Sequence, residues 1–230
     1  MNDMNLYFPE DASWEGVEPS SVGWDVEGLD EVMRFAEQNR STGFVMLQGG
    51  RMLCEHYWRL EDMSGSRYEM GLNGYDSEGR PIEDVASVQK SFVALMACIA
   101  REKGLLDFGD VASEYLGEGW TKATREQEEQ IKLKDMLSMS SGLDLDLNYE
   151  VPPGEKWFYN TIAYAQLFKI IGIAADEDPH VLTRTWITER LGMADTRWAE
   201  RPWAKDIPDG AASIGLVTTA RGLARLGLMV

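Results

Sequence analysis

The stretch that decides the fold prediction is DVASVQKSFVALMACIAREK, residues 84–103. Within it, Ser87 and Lys90 stand three residues apart at the start of an apolar helical pattern. On a helix this spacing stacks the two side chains one turn apart, where an amine can take the proton of a hydroxyl. The stretch therefore predicts a core helix that begins at a nucleophilic serine.

The setting of the two residues supports that chemistry. The helical pattern is apolar nearly all round, which is typical of a buried helix. An amine in its first turn would be partly desolvated, and desolvation disfavours the charged form, as a general base requires. The backbone N–H of Ser87 would also stand where a developing oxyanion can be held. The alternative interpretation is a capping serine followed by a surface lysine.

Five colinear segments resemble the serine β-lactamase and penicillin-binding-protein superfamily, especially its branch of class C-like esterases and 6-aminohexanoate-dimer hydrolases. The resemblance covers the chain from about Gly43 to Val230 and implies an α+β, β-lactamase/transpeptidase-like fold. In that fold a helical lobe accompanies an antiparallel sheet. The segments are residues 86–116, IKLKDMLSMSSGLDLD (131–146), PPGEKWFYNT (152–161), ITERLGMADTRW (187–198) and GLVTTARGLARLGLMV (215–230).

The resemblance assigns roles to individual residues. The family's nucleophile falls on Ser87, its lysine on Lys90, and the tyrosine of its second motif on Tyr159. Lys90 and Tyr159 would then share the proton transfers that a histidine performs in other serine hydrolases. Tyr159 could instead be an ordinary loop aromatic.

The neighbours of Tyr159 are the candidates for binding substrate. These are Trp157, Asn160 and Thr161, and the implied substrate is a small-molecule ester or amide. Thr161 stands where many relatives carry an asparagine that orients substrate. Trp157 could also fill the core.

The family's third motif, KTG, KSG, HxG or WxG on a late strand, has no counterpart after Thr161. In relatives that strand supplies the second oxyanion donor. We therefore expect a single incomplete catalytic domain. It would comprise a helix and β-hairpin of the α/β lobe (1–60), a mainly helical lobe with the active site (61–214) and a helix that returns to the α/β lobe (215–230). Only the hairpin of the antiparallel sheet is expected, and a completing C-terminal chain or a homo-oligomer stays open as partner.

The local patterns agree with this division. Residues 24–39 read as an amphipathic helix, residues 44–58 as a hairpin around Gly49-Gly50, and residues 61–83 as a long polar loop. Helices are predicted for most of the remainder, at about 86–103, 108–116, 131–139, 160–174, 181–192 and 217–230.

Composition excludes several classes of partner. Asp and Glu outnumber Lys and Arg by 39 to 22, a net charge of −17, which argues against nucleic acid and anionic membranes. No apolar stretch approaches a membrane span, and residues 1–16 lack a leader pattern. A cytoplasmic location is the default, and a periplasmic one stays open if a leader was removed.

Neither a metal nor another cofactor is expected. The two histidines, His56 and His180, belong to no clustered ligand set. Asp144 and Asp146 mimic a calcium loop whose glycine position holds Tyr149, so a solvated turn is the preferred interpretation. Cys54 and Cys98 are interpreted as buried reduced thiols.

The sequence therefore favours a serine hydrolase that forms an acyl-enzyme on Ser87. A carboxylesterase or small-amide hydrolase ranks above a β-lactamase or D-alanyl-D-alanine peptidase. The alternative from another class is a non-catalytic or fragmentary member that keeps the fold and acts as a binding module.

Overall fold

The computed structural model describes residues 6–10, 13–60, 67–204 and 213–230. The chain divides into two compact units. The mixed unit comprises Met1–Val85, Thr188–Ala199 and Leu216–Val230, and the helical unit comprises Ala86–Ile187 and Glu200–Gly215.

The mixed unit contains helices and antiparallel strands. Their bounds are α1 Val26–Gln38, β1 Gly43–Gln48, β2 Arg51–Tyr57, α2 Arg67–Gly71, β3 Leu72–Tyr75 and β4 Pro81–Asp84, with most of β5 Arg197–Glu200 and β6 Ile214–Thr218, and α9 Ala220–Met229. α1 begins at Asp25, whose carboxylate accepts a hydrogen bond from the N–H of Glu27 at 3.2 Å. The predicted helix at 24–39 therefore forms, shorter by two residues at its start and one at its end.

The hairpin β1–β2 forms where the sequence predicts it, with register from Gly43↔Tyr57 to Gln48↔Arg51. Gly49 and Gly50 both have positive φ, 57° and 84°, as a two-residue turn of this kind requires. A Cβ at Gly50 would also collide with the carbonyl oxygen of Tyr7. Glycine is therefore needed at Gly50 for both conformation and space.

A second sheet, in the order β3-β4-β6-β5, corrects the expectation that the hairpin contributes the only strands. β4 pairs with β6 through Glu83↔Thr218 and Asp84↔Val217. The predicted loop at 61–83 thus contains β3 and most of β4 in its described part, and the predicted helix at 217–230 begins only at Ala220. These strands are four or five residues long, and β4 pairs with the distant β6, so local periodicity does not reveal them.

The helical unit is built around α3 (Gln89–Glu102) and α7 (Thr161–Ala175), which pack together. Its core includes the fully buried side chains of Phe92, Met96 and Ile170. Shorter helices surround this pair: α4 Ala112–Leu116, α5 Arg125–Glu128, α6 Leu133–Leu137 and α8 Pro179–Thr183, followed by a π-helical turn at Arg184–Thr188. The predicted helices at 108–116, 131–139 and 181–192 are therefore present but shorter than their apolar patterns.

The prediction that both cysteines are buried is wrong for Cys98. Cys98 is exposed on α3, whereas Cys54 is half-buried, with its sulfur 3.5 Å from that of Met33. Cys98 follows Ser87 by eleven residues, about three helical turns, so the two share a face. Because Ser87 is exposed, that face is open rather than buried. Burial raises the pKa of the Cys54 thiol, assisted by the charges of Asp30 and Glu55.

In the part of the chain that the structure describes, no helix combines the length and the hydropathy that a bilayer crossing requires.

Candidate active site

The candidate nucleophile lies on a tight turn that leads into α3. Ala86–Val88 form one 3₁₀ turn directly before the helix, and Ser87 is exposed on it. Ala86 has φ +48°, a left-handed conformation that costs an alanine about 1–2 kcal/mol. Strain of this kind persists where the surroundings fix the backbone, and it is common at functional sites.

Lys90 directs its amine at the serine. Its Nζ donates a hydrogen bond to Ser87 Oγ at 3.2 Å. The same Nζ lies 5.0 Å from the ring centroid of Tyr159 and 5.9 Å from that of Tyr164. The hydroxyl of Tyr164 also donates to the backbone carbonyl of Lys90 at 2.9 Å. The first turn of α3 is therefore tied to α7, which carries Tyr164.

Tyr159 completes the cluster. Tyr159 is 43% exposed, and its phenol interacts with the side chains of Ser87 and Lys90. The hydrogen bond with Ser87, followed by the hydrogen bond and charge of Lys90, outweighs partial desolvation and holds the pKa of Tyr159 below its ordinary value. A phenol with a lowered pKa exchanges protons more readily near neutrality. The structure thus brings together the three residues that the sequence nominated for catalysis.

The loop that carries Tyr159 is fixed by backbone hydrogen bonds to the segment after α6. The N–H of Gly154 donates to Ser140 O at 2.8 Å, and the N–H of Phe158 donates to Met139 O at 2.9 Å. Met139 itself has φ +56°. These two bonds bracket Trp157, so the loop is held on both sides of that residue.

Asn160, predicted as a substrate contact, makes its side-chain hydrogen bonds inside the protein. Its side chain is 2% exposed, and its Oδ1 caps α7 by accepting from the N–H of Ala163 at 3.0 Å. Its Nδ2 donates to the carbonyls of Leu143 (3.0 Å) and Asp144 (2.7 Å). These three bonds fix the backbone directly after Tyr159. An asparagine directly before an apolar helical run is an N-cap signal, and this signal was present in the sequence.

The other two nominated residues differ in accessibility. Trp157 is 69% exposed, and its ring centroid lies 6.4 Å from that of Tyr159 at an interplanar angle of 52°. Thr161 is half-buried as the first residue of α7. The alternative that Trp157 fills the core is therefore wrong.

Sequence reasoning missed a contact beside the nucleophile. Arg201, only 8% exposed, donates from Nη2 to Gln89 Oε1 at 2.9 Å. Gly215 faces the same guanidinium so closely that a Cβ there would lie 2.6 Å from Arg201 Cζ. Gln89 lies between Ser87 and Lys90, so this contact anchors the start of α3. Neither spacing nor periodicity in the sequence indicates the pairing.

Solved structures with the same fold come from several organisms. They include a penicillin-binding-protein homologue from Pyrococcus abyssi that is octameric (18% identity, TM-score 0.65, 89% of this chain and 56% of that chain). They also include a protein described as a 6-aminohexanoate-dimer hydrolase from Bacillus anthracis (17% identity, TM-score 0.63, 98% of this chain and 64% of that chain). A class C β-lactamase from Rhodobacter sphaeroides is a third example (16% identity, TM-score 0.57, 88% of this chain and 64% of that chain). The chain spans less than two thirds of each of these proteins. A comparison with curated proteins finds no significant match.

These similarities define a β-lactamase/transpeptidase-like fold, and the predicted α+β fold class is confirmed. Residues 34–230 match the sequence model of the Beta-lactamase family. The chain therefore belongs to the Beta-lactamase family, as the resemblance in the sequence implied.

Proposed function

We propose that the protein is a serine hydrolase that cleaves an ester or a small amide through an acyl-enzyme on Ser87. One observation carries the proposal: Lys90 Nζ lies 3.2 Å from Ser87 Oγ and 5.0 Å from the ring centroid of Tyr159. A hydroxyl in contact with two proton-transfer groups is the arrangement of an activated nucleophile. Membership of the Beta-lactamase family supports this chemistry.

In the first half-reaction Ser87 Oγ forms a bond to the substrate's carbonyl carbon. Its proton passes to the pair formed by Lys90 and Tyr159, and the carbonyl π electrons move onto oxygen. In this mechanism the backbone N–H of Ser87, in the turn before α3, donates to the oxyanion. The intermediate then collapses, and the leaving alkoxide or amine takes the proton from the same pair.

In the second half-reaction water replaces the leaving group. It loses its proton to Lys90 and Tyr159 as it attacks the acyl carbon. The bond between Ser87 Oγ and the acyl carbon breaks, the serine recovers a proton, and the acid departs. The same two side chains thus act first as base and then as acid in each half-reaction.

Covalent labelling tests the nucleophile without requiring turnover. A fluorophosphonate forms a bond between phosphorus and Ser87 Oγ as fluoride leaves, and intact mass reports the adduct. We expect one adduct on the wild type and none on Ser87→Ala. The matched control is Ser91→Ala, an exposed serine one turn further along α3, which should label like the wild type. An adduct on Ser87→Ala, or none on the folded wild type, would contradict the proposal.

The substrate ranking is tested by hydrolysis of p-nitrophenyl butyrate and nitrocefin. Turnover of the ester alone supports an esterase or amidase, and turnover of nitrocefin alone would favour a β-lactamase. Labelling of Ser87 without release of product would favour the binding-module alternative. The octameric relative supports testing a homo-oligomer at the same time by sedimentation velocity.

A further inference from the structure

The most exposed aromatic side chain near the catalytic cluster is Trp157. A tryptophan 69% exposed leaves a large apolar surface in water, and such surfaces are commonly binding surfaces. Successive steps of 6.4 Å, 5.0 Å and 3.2 Å lead from the indole through the Tyr159 ring and Lys90 Nζ to Ser87 Oγ. An aryl group at the end of an alkyl chain, or a long alkyl chain, is the kind of substrate group that can reach along this path from a carbonyl carbon bonded to Ser87 Oγ.

The indole is held on a fixed loop. Backbone hydrogen bonds from Gly154 and Phe158 fix the loop on either side of Trp157. Lys156, the preceding residue, is drawn into an ion pair with Glu150 at 2.8 Å and lies over the ring of Phe158 at 5.5 Å. A rigid aromatic surface loses little conformational entropy when a ligand stacks on it.

Further apolar side chains are exposed on the segments around the cluster. Val88, directly after the nucleophile, is 47% exposed, and Leu145 is 56% exposed. Leu145 follows Asp144, whose carbonyl accepts a hydrogen bond from Asn160. The turn that carries Leu145 is therefore fixed beside the residue that follows Tyr159. Apolar side chains are thus exposed both directly after Ser87 and on the turn that is bonded to Asn160.

The charge around this surface disfavours an anionic ligand. The chain carries a net charge of −17, which repels negative substrates. The cation next to Trp157, Lys156, is already compensated by Glu150. A substrate carboxylate would therefore find little attraction at the indole, whereas a neutral apolar group would lose nothing on arrival.

We propose that Trp157 is the platform on which an apolar, uncharged group of the substrate stacks, so that neutral aryl or longer alkyl esters and amides are preferred over short or anionic ones. This inference rests on the proposed Ser87 chemistry and names the substrate class of that site. It makes Trp157 a specificity residue rather than a member of the proton-transfer machinery.

The test compares two neutral fluorophosphonates that carry either a methyl group or a 4-phenylbutyl group on phosphorus, called here the methyl probe and the phenyl probe. Time courses of intact mass give second-order rate constants for Ser87. The wild type should prefer the phenyl probe, and Trp157→Ala should lose about tenfold of that preference through a slower reaction with the phenyl probe. Trp157→Phe should keep most of the preference.

The matched control is Ile173→Ala. Ile173 is another exposed apolar residue of the helical unit, 46% exposed, and it lies about 18 Å along α7 from the end that carries Asn160. It should behave as the wild type does.

Each other outcome overturns the inference. Retention of the phenyl preference by Trp157→Ala would show that the indole does not bind substrate. Retention together with a changed sedimentation coefficient would assign Trp157 to a protein contact. An equal loss of labelling rate with both probes would show that Trp157 stabilises the loop that carries Tyr159 and does not bind substrate. Failure of every probe to label the wild type would remove the proposed function itself, and the inference with it.

Discussion

The hydroxyl of Tyr164 donates a hydrogen bond to the backbone carbonyl of Lys90 across 2.9 Å, and this bond ties the middle of the active site to the packing of α3 against α7. Tyr164 is 6% exposed, so the bond is shielded from water. Tyr164→Phe removes it at nearly constant volume, and we expect a loss of about 0.5–1.5 kcal/mol in the free energy of unfolding. Urea denaturation with an unchanged m-value measures this. Tyr75→Phe, at a residue 46% exposed, is the control and should be neutral.

Asn160 performs two separable tasks, and two substitutions distinguish them. Asn160→Ala removes both the cap of α7 and the donors to Leu143 and Asp144, and it should cost about 2–4 kcal/mol of unfolding free energy. Asn160→Ser keeps a capping oxygen and should cost less. Thermal and urea denaturation measure the order. Equal losses in the two variants would show that the carbonyl contacts carry all of the effect.

The lowered pKa of Tyr159 predicts a titration with a definite sign. A tyrosinate difference spectrum between the wild type and Tyr159→Phe should show a midpoint below the ordinary value of about 10. Ser87→Ala removes the main cause and Lys90→Met the second, so each should move the midpoint upward. Labelling of wild-type Ser87 should accelerate as pH rises through the same midpoint, because the phenolate accepts the serine's proton. A midpoint at or above 10 would contradict the assignment.

Replacing glycine by alanine should lower the stability at Gly215 and raise it at Gly227. At Gly215 a Cβ would meet the guanidinium of Arg201, and although an arginine end is flexible, this one is buried and bonded to Gln89. We expect Gly215→Ala to cost about 1–3 kcal/mol and to slow the labelling of Ser87. Gly227 lies inside α9 with open space around it, so Gly227→Ala should stabilise by about 0.5–1 kcal/mol. Denaturation and labelling rates of both variants check the pair.

The strained turn at Ala86 predicts a stabilising variant. Because glycine adopts φ +48° without the Cβ clash, Ala86→Gly should gain about 0.5–1 kcal/mol of unfolding free energy after its greater backbone entropy is subtracted. The control, Ala94→Gly inside α3, should lose about as much. Slower labelling of a more stable Ala86→Gly protein would show that the strain orients Ser87. A loss of stability would mean that the turn is not strained.

The contact between Ser87 and Lys90 was predictable from the residues because local helical geometry relates the two positions. Tyr159 lies far along the sequence, and only the family resemblance placed it beside Lys90. The positioning groups Tyr164 and Arg201 act through contacts between distant segments, for which spacing carries no signal. For Asn160 the sequence indicated the N-cap position. It gave no signal for the hydrogen bonds from the amide to the carbonyls of Leu143 and Asp144.

The same distinction explains the fold. α1, the hairpin and α7 were predicted because each has a long or strict hydrophobic period. β3 and β4 are four residues each, with Asn73 and Gly74 inside the former, so nothing in them alternates clearly. In β6 the run GLVT passes into the helical pattern of α9, and the boundary is set by Thr219, which caps the helix by accepting from the N–H of Gly222 at 3.1 Å. These strands are stabilised by pairing with neighbouring strands, and their own hydrophobic patterns do not indicate that pairing.

The continuous stretch Ala86–Ile187 supplies Ser87, Lys90 and Tyr159 together with the residues that hold them, apart from Arg201. The three clustered side chains are thus encoded by one contiguous segment of the chain. Substitutions in the mixed unit therefore change none of the three clustered side chains.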